Sequence, residues 1–390
     1  MTPGPLCGIK VLDFTTSLSG PLGAVILADL GADVIKVERT GAADRARITG
    51  TTCGDISAMF HMGNRGKRAI ELDLRLADEL DVAIDLAREA DLVIENFRPG
   101  VTTRLGIDFA SLSAVNPNLI YVSLTGFGAS GPYALRPAFD SIIQAYGGVA
   151  AVQGRADPQG IPTLVNHAIV DKVAGMMAAQ GALTALLARD RGAGGQYVEV
   201  SMLDVAAWFI WLDAAGSSTL TDAPAGQPQD ATTGKRIQVR YADGWGMLSL
   251  GHDDSFRSIC GVFGVDVSGY PHLLTAPGRD RHSADYEEVI ERIRAAAATM
   301  TRAEAGQRLG AAGSIFGEVL DVAELPANEQ LSARGLFVES AHPAAGRIVE
   351  PKLPIVFSAT PPPPPRPSPG VNEHGDEIRA EVRLRQAAGG

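Results

Sequence analysis

The stretch "IKVLDFTTSLSGPLGAVILADLGADVIKVE", residues 9 to 38, decides the fold class. "IKVLDFT" reads as a buried strand, and the apolar and small residues after it read as a helix that stops at Gly31. Val34 to Glu38 is then a second strand, which makes the whole run one strand-helix-strand unit. The unit repeats downstream. "AIELDL" can form another strand, "LADELDVAIDLAREA" a helix, "DLVIENF" the strand after it, and "LIYVSLTGF" a further strand ending in a glycine-rich turn. This order, with short connections, predicts a parallel sheet covered by helices, an α/β domain assigned to residues 1–220.

Open α/β sheets bind ligands beyond the carboxyl ends of their strands. Three such ends carry polar or turn residues: "DFTTSLSGP", "ENFRPG" and "TGFGASGP". The third carries the GxGxxG spacing at Gly126, Gly128 and Gly131, but "PYALRP" follows it in place of a helical pattern, and GxxxxGK[ST] is absent, so a nicotinamide dinucleotide or a P-loop nucleotide has weak support.

Beyond the large domain, "APAGQPQDATTGKR" breaks the apolar pattern and reads as a surface connection. "IQVRYADGWGMLSL" predicts a hairpin with Asp243-Gly244 at its turn, and helical patterns follow, so a smaller α+β domain is placed at 225–325. Residues 326–390 form a C-terminal segment. Its run "ATPPPPPRPSPG", 359–370, is extended because proline lacks the amide and fixes its own dihedral. It reads either as a strap across the surface or as a simple linker.

The 390 residues, 45% of them hydrophobic, suffice for a large core and two domains. A formal charge of −11, from 45 acidic against 34 basic residues, gives no polycationic face for nucleic acid. Cys7, Cys53 and Cys260 are too scattered for a disulfide scaffold or structural zinc, and the histidines form no ligand motif with acidic residues, so no metal site is expected. Neither a signal peptide nor a membrane span is evident, and the cytoplasm is the expected compartment.

One charge stands out. In "NHAIVDKVAGMMAAQGALTALLARDR", residues 166 to 191, Asp171 precedes a long helix of small and apolar residues. An aspartate there can cap the helix by accepting its free amide hydrogens. The same carboxylate, held ionised by those amides and the helix dipole, can also attack an activated acyl group.

The chain resembles the class III CoA-transferase family, whose divergent branch includes alpha-methylacyl-CoA racemase. The match runs through "NRGKRAIELDL", "ADLVIENFRPGVTTRLGID", "LIYVSLTGFGASGPY", "RPAFDSIIQAYGG", the Asp171 helix, "RDRGAGGQYVEVSMLDV" and "NEHGDEI". The resemblance implies a Rossmann-like large domain, a small domain, a C-terminal segment returning to the large domain, and an interlocked homodimer. It implies a CoA thioester as substrate with no tightly bound cofactor, an acyl-CoA donor and a carboxylic acid acceptor. Asp171 is then the nucleophile. Arg39, Asn96, Phe97, Arg104 and Arg136 correspond to CoA-contacting positions, and Leu18, Ser19, Phe139 and Asp140 to the substrate pocket.

Departures from the family narrow the expectation. Phe139 stands where the racemase branch has its proton-moving histidine, which favours transfer, although His167 lies four residues before Asp171. Leu18 stands where formyl-CoA transferases place a glutamine, which favours a more apolar acyl group. Their tetraglycine loop is missing, with "PAGQPQD" at 224–230 as a loose substitute.

Overall fold

A computed structural model describes residues 4–155, 157, 159–224 and 236–389. Residues 225–230, nearly all of the candidate loop substitute, and most of the surface connection lie outside the described residues. Two compact units result, one formed by 1–212 with 332–390 and the other by 213–331.

In the first unit, β1 (Lys10–Asp13), β2 (Asp33–Arg39), β3 (Arg68–Leu72), β4 (Leu92–Glu95), β5 (Ile120–Thr125) and β6 (Gln196–Ser201) form one sheet. All pairings are parallel and the spatial order is β3-β2-β1-β4-β5-β6, a doubly wound order that reverses beside β1. Successive residues of a strand face opposite ways, and here both faces are covered. Val11 joins a core with α1 (Ser19–Asp29), whereas Leu12 joins one with residues of α3 (Ala77–Glu89). Between them, α2 (Ala58–Asn64) packs on α1.

The expected stop at Gly31 is a Schellman motif. Gly31 has φ +101°, its N–H donates to the carbonyl of Ala28 at 2.9 Å, and the Ala32 N–H donates to that of Leu27 at 3.1 Å.

Two further helices position the site, α4 (Asp140–Tyr146) and the 20-residue α5 (Ile169–Ala188). Small residues let α5 approach α1 closely. A Cβ on Gly175 would lie 2.6 Å from the Ser19 carbonyl oxygen and 3.0 Å from Leu22 Cβ. The C-terminal segment adds a hairpin, Phe337–His342 with Gly346–Pro351, and α6 (Gly375–Gly389). Along the proline-rich run, the carbonyls of Arg366 and Pro367 both accept the Gly66 N–H at 3.1 Å. Ile378 and Val382 of α6 are buried with Leu12, Ile70 and Ala83.

The second unit has an antiparallel sheet of β7 (Arg236–Tyr241), β8 (Gly244–Ser249) and β9 (Phe316–Val319), packed against helices through Val239, Leu248, Phe256 and Ile290. Its first hairpin turns one residue earlier than expected. Gly244 already pairs with Tyr241, leaving Ala242 and Asp243 as the turn, with Asp243 anchored by the Arg302 N–H at 2.7 Å. Among the described residues, no helix is long and apolar enough to cross a membrane.

Candidate active site

The carboxyl ends of β2 and β3, the residue after β1 and the turn after β4 enclose a cleft of about 390 Å³. Phe14, Leu72 and Phe97 supply apolar wall, and Arg39, Arg75 and Arg104 supply three guanidinium groups. Apolar surface for a flat base beside arginine forks for phosphate oxygens suits a nucleotide-like group. Arg39, Phe97 and Arg104 were expected there, but Arg75 was not. It donates to both oxygens of Asp73, at 2.8 and 2.6 Å, and this pairing draws the Asp73 carboxyl down to about 2.

Asn96 faces inward. Its Oδ1 accepts the Thr16 N–H at 2.9 Å and its Nδ2 donates to the Thr16 carbonyl at 2.8 Å, which fastens the β4 turn to the loop after β1. That loop runs from Phe14 in the cleft, through Ser17 at φ +70°, to half-buried Leu18 and buried Ser19 at the start of α1.

Asp171 lies in the first turn of α5, where the structure corrects the helix-capping expectation. The helix starts at Ile169, and its amides at Val170 and Asp171 donate to Asp140 Oδ1, at 2.7 and 3.1 Å. The cap therefore comes from Asp140 on α4, which replaces Asp171 in that role. Gln144 Nε2 donates to Asp140 Oδ2 at 2.5 Å and to the Val165 carbonyl at 3.1 Å, while Gln144 Oε1 accepts the Val165 N–H at 2.9 Å. Asp140, expected on the pocket wall, is thus buried and held at both oxygens.

A second correction concerns charge. Burial, and then the negative charge of Asp140, raise the Asp171 carboxyl to about 6, with the Ser19 hydroxyl pulling the other way. The amides that were expected to stabilise the Asp171 charge are engaged by another carboxylate. At pH 7 a carboxyl with this value is still about nine-tenths ionised, so Asp171 remains a nucleophile, and a more basic one than an ordinary aspartate.

Phe139 is 76% exposed and extended just before α4. Arg136 is exposed, stacks 3.9 Å from the Tyr133 ring centroid and donates to the Tyr146 hydroxyl at 3.1 Å. His167 Nδ1 lies 3.2 Å from Lys172 Nζ, so the amine of Lys172 is its polar neighbour. In the second unit, His272, His282 and Asp285 bring ligand atoms within 4.8 Å of one another, a grouping that their sequence spacing did not reveal.

The model of CoA-transferase family III matches residues 6–375. The acetyl-CoA:oxalate CoA-transferase of Acetobacter aceti is 34% identical, over 98% of this chain and 97% of that protein. The succinate–glutarate CoA-transferase of Agrobacterium fabrum is 30% identical, over 97% of this chain and 96% of that protein. Among solved structures, a CAIB/BAIF family protein from Brucella suis superposes with a TM-score of 0.85 at 30% identity, covering 98% of this chain and all of that one.

Proposed function

Because the chain belongs to CoA-transferase family III, we propose that it moves CoA from an acyl-CoA thioester to a carboxylic acid through covalent intermediates on Asp171. The observation that carries this reading is a half-buried carboxylate in the first turn of α5, beside Ser19. An Asp171 oxygen attacks the thioester carbonyl carbon, the C–S bond breaks, and an aspartyl mixed anhydride and CoA thiolate form. The thiolate then attacks the Asp171 carbonyl, which releases the donor acid and leaves an enzyme–CoA thioester. The acceptor carboxylate attacks that thioester to give a second anhydride and thiolate. Attack of the thiolate on the acceptor's carbonyl yields the new acyl-CoA and frees Asp171. Each step exchanges one acyl bond for another, so the activation of the thioester is conserved and no redox partner is needed.

In this reading Arg39, Arg75, Arg104 and the face of Phe97 hold the nucleotide end of CoA, and Asn96 shapes the turn beneath it. Arg136, steadied by Tyr133 and Tyr146, is the cation available to an acid group. Leu18 and Phe139 give the acyl side an apolar character. The two transferases compared above are named for different acids at similar identity, so overall likeness does not choose the acceptor. Trp208, Phe209, Trp211 and Leu212 are exposed on one helix, which supports a homodimer, checked by light scattering at twice the chain mass.

The test is peptide mass mapping after brief exposure to a panel of acyl-CoAs, with Asp171→Asn as control. A CoA thioester or a hydroxylamine-trapped adduct on the Asp171 peptide is expected. Acyl-CoA binding without any such adduct would instead point to proton transfer or simple binding.

A further inference from the structure

Beneath the loop that carries Leu18 and Ser19 lies a floor of charges without solvent. The side chains of Asp13, Lys36, Asp44 and Lys67 are all 0% exposed. Lys67 Nζ donates to Asp13 Oδ2 at 2.8 Å, to Asn64 Oδ1 at 2.9 Å and to the Pro21 carbonyl at 3.1 Å. Lys36 Nζ donates to the Thr15 carbonyl at 2.8 Å and to Asp44 Oδ2 at 3.2 Å. Asp44 accepts the Ser17 N–H at 3.2 Å, and Asp13 accepts the Thr15 N–H at 2.8 Å and its hydroxyl at 2.5 Å. Four ionisable side chains therefore grip the main chain at 15, 17 and 21, on both sides of Ser19.

Two positive and two negative charges balance, yet this is a poor route to stability. An apolar set of similar volume commonly stabilises a fold as well or better, whereas removing one member of a buried pair leaves its partner uncompensated. Directed bonds to a loop supply geometry instead. A side chain that must meet a reacting group within a fraction of an ångström needs such support from behind.

We propose that Asp13, Lys36, Asp44 and Lys67 are positioning residues for the chemistry at Asp171, holding the loop so that Leu18 and Ser19 meet the carboxylate and the incoming acyl group in one arrangement. This rests on the reading of Asp171 as the nucleophile. Lys67 is central, because its ammonium ties β1, α2 and the first turn of α1 together. It faces Asp13 on β1, Lys36 on β2, Asp44 in the segment after β2, and the neutral Asn64 on α2.

The charge state of Lys67 separates positioning from stability. Burial draws its pKa down from 10.5 to about 8, against the pull of Asp13. A lysine depressed on folding binds its proton more weakly in the folded state, so this group's contribution to stability is lowest below pH 8 and rises between about 8 and 10.5. Raising the pH removes the charge that holds Asp13 while making this part of the fold no less stable. Activity and stability then move in opposite directions.

The experiment measures single-turnover labelling of the Asp171 peptide on the full chain, with an acyl-CoA that labels the wild type, from about pH 6 to about pH 10. Wild type, Lys67→Met and Lys67→Arg are compared, each with its melting temperature at every pH. The wild-type maximal rate is expected to fall through about pH 8 without a matching fall in melting temperature. Lys67→Met is expected to lower the maximal rate roughly 10- to 100-fold, to leave the half-saturating acyl-CoA concentration within about twofold, and to lose the break near pH 8. Lys67→Arg, whose charge does not titrate, should regain rate and carry it beyond that pH. A folded Lys67→Met that labels at the wild-type rate overturns the proposal. Should Lys67→Met not fold, the wild-type profile decides: a rate level through pH 8, or one that falls only in step with melting temperature, overturns it. Absence of any wild-type adduct removes the Asp171 reading and this proposal with it, whereas labelled wild type with indifferent Lys67 variants removes the positioning role alone.

Discussion

The two helices that meet at Asp171 begin in opposite ways. α5 starts under a borrowed cap, with the amides of Val170 and Asp171 bound to Asp140 from another helix. α1 starts at Ser19 with Leu18 at its N-cap position and no side-chain cap, its entry fixed from below by a buried charge network. One helix end is closed by a carboxylate that also raises its neighbour's proton affinity, and the other presents Ser19 to that neighbour. The same structural element thus serves two ends, tuning on one side and presentation on the other.

Breaking the contrast at its centre has the largest expected effect. Asp171→Asn should abolish the covalent adduct and also stabilise the protein at neutral pH. The Asp171 carboxyl is raised on folding from 3.8 to about 6, so its favourable contribution is complete below about 3.8 and is lost as pH rises through 6. At pH 7 the ionised group works against folding by about 2 to 3 kcal/mol, which Asn avoids. Chemical denaturation at pH 5 and pH 7 reads this as a variant-to-wild-type gap that widens with pH. For the active wild type, labelling should rise through about pH 6 as the carboxylate forms.

Asp140→Asn sharpens the closed end. It keeps an oxygen for the Val170 N–H but removes the charge, so the acid limb of the labelling profile should move below 6. The Gln144 amide then loses the carboxylate oxygen it donates to, which should cost about 1 kcal/mol in denaturant unfolding. An acid limb that stays in place would show that burial alone sets the Asp171 value.

The smallest effect belongs to the open end. Leu18→Asn supplies α1 with a cap and should stabilise the chain by about 1 kcal/mol or less, offset in part by lost apolar contact. Its larger consequence should be a shifted preference among acyl-CoAs in the labelling panel, toward more polar acyl groups.

How much of this was legible in the sequence depends on distance along the chain. The strand-helix-strand unit with its stop at Gly31 was readable because the Schellman motif is made within a few residues. The cap on α5 was misassigned because the residue that makes it lies 31 positions away, on α4. An aspartate in a first turn looks like a cap whether or not its amides are already taken. Arg75 carried no local mark, since its place in the cleft depends on β3 lying beside β2. Lys36 and Lys67 likewise look like ordinary polar positions of a strand and a turn. Their burial follows from the meeting of β1, β2, α1 and α2, which no short window contains.

The placement of α6 bears on how the chain is made. Ile378 and Val382 lie in one core with Leu12, Ile70 and Ala83, so the part of this sheet face that α3 does not cover stays open until residues 375–389 are made. A nascent chain therefore exposes apolar surface between the synthesis of α3 and that of α6, the interval in which it is most prone to aggregate.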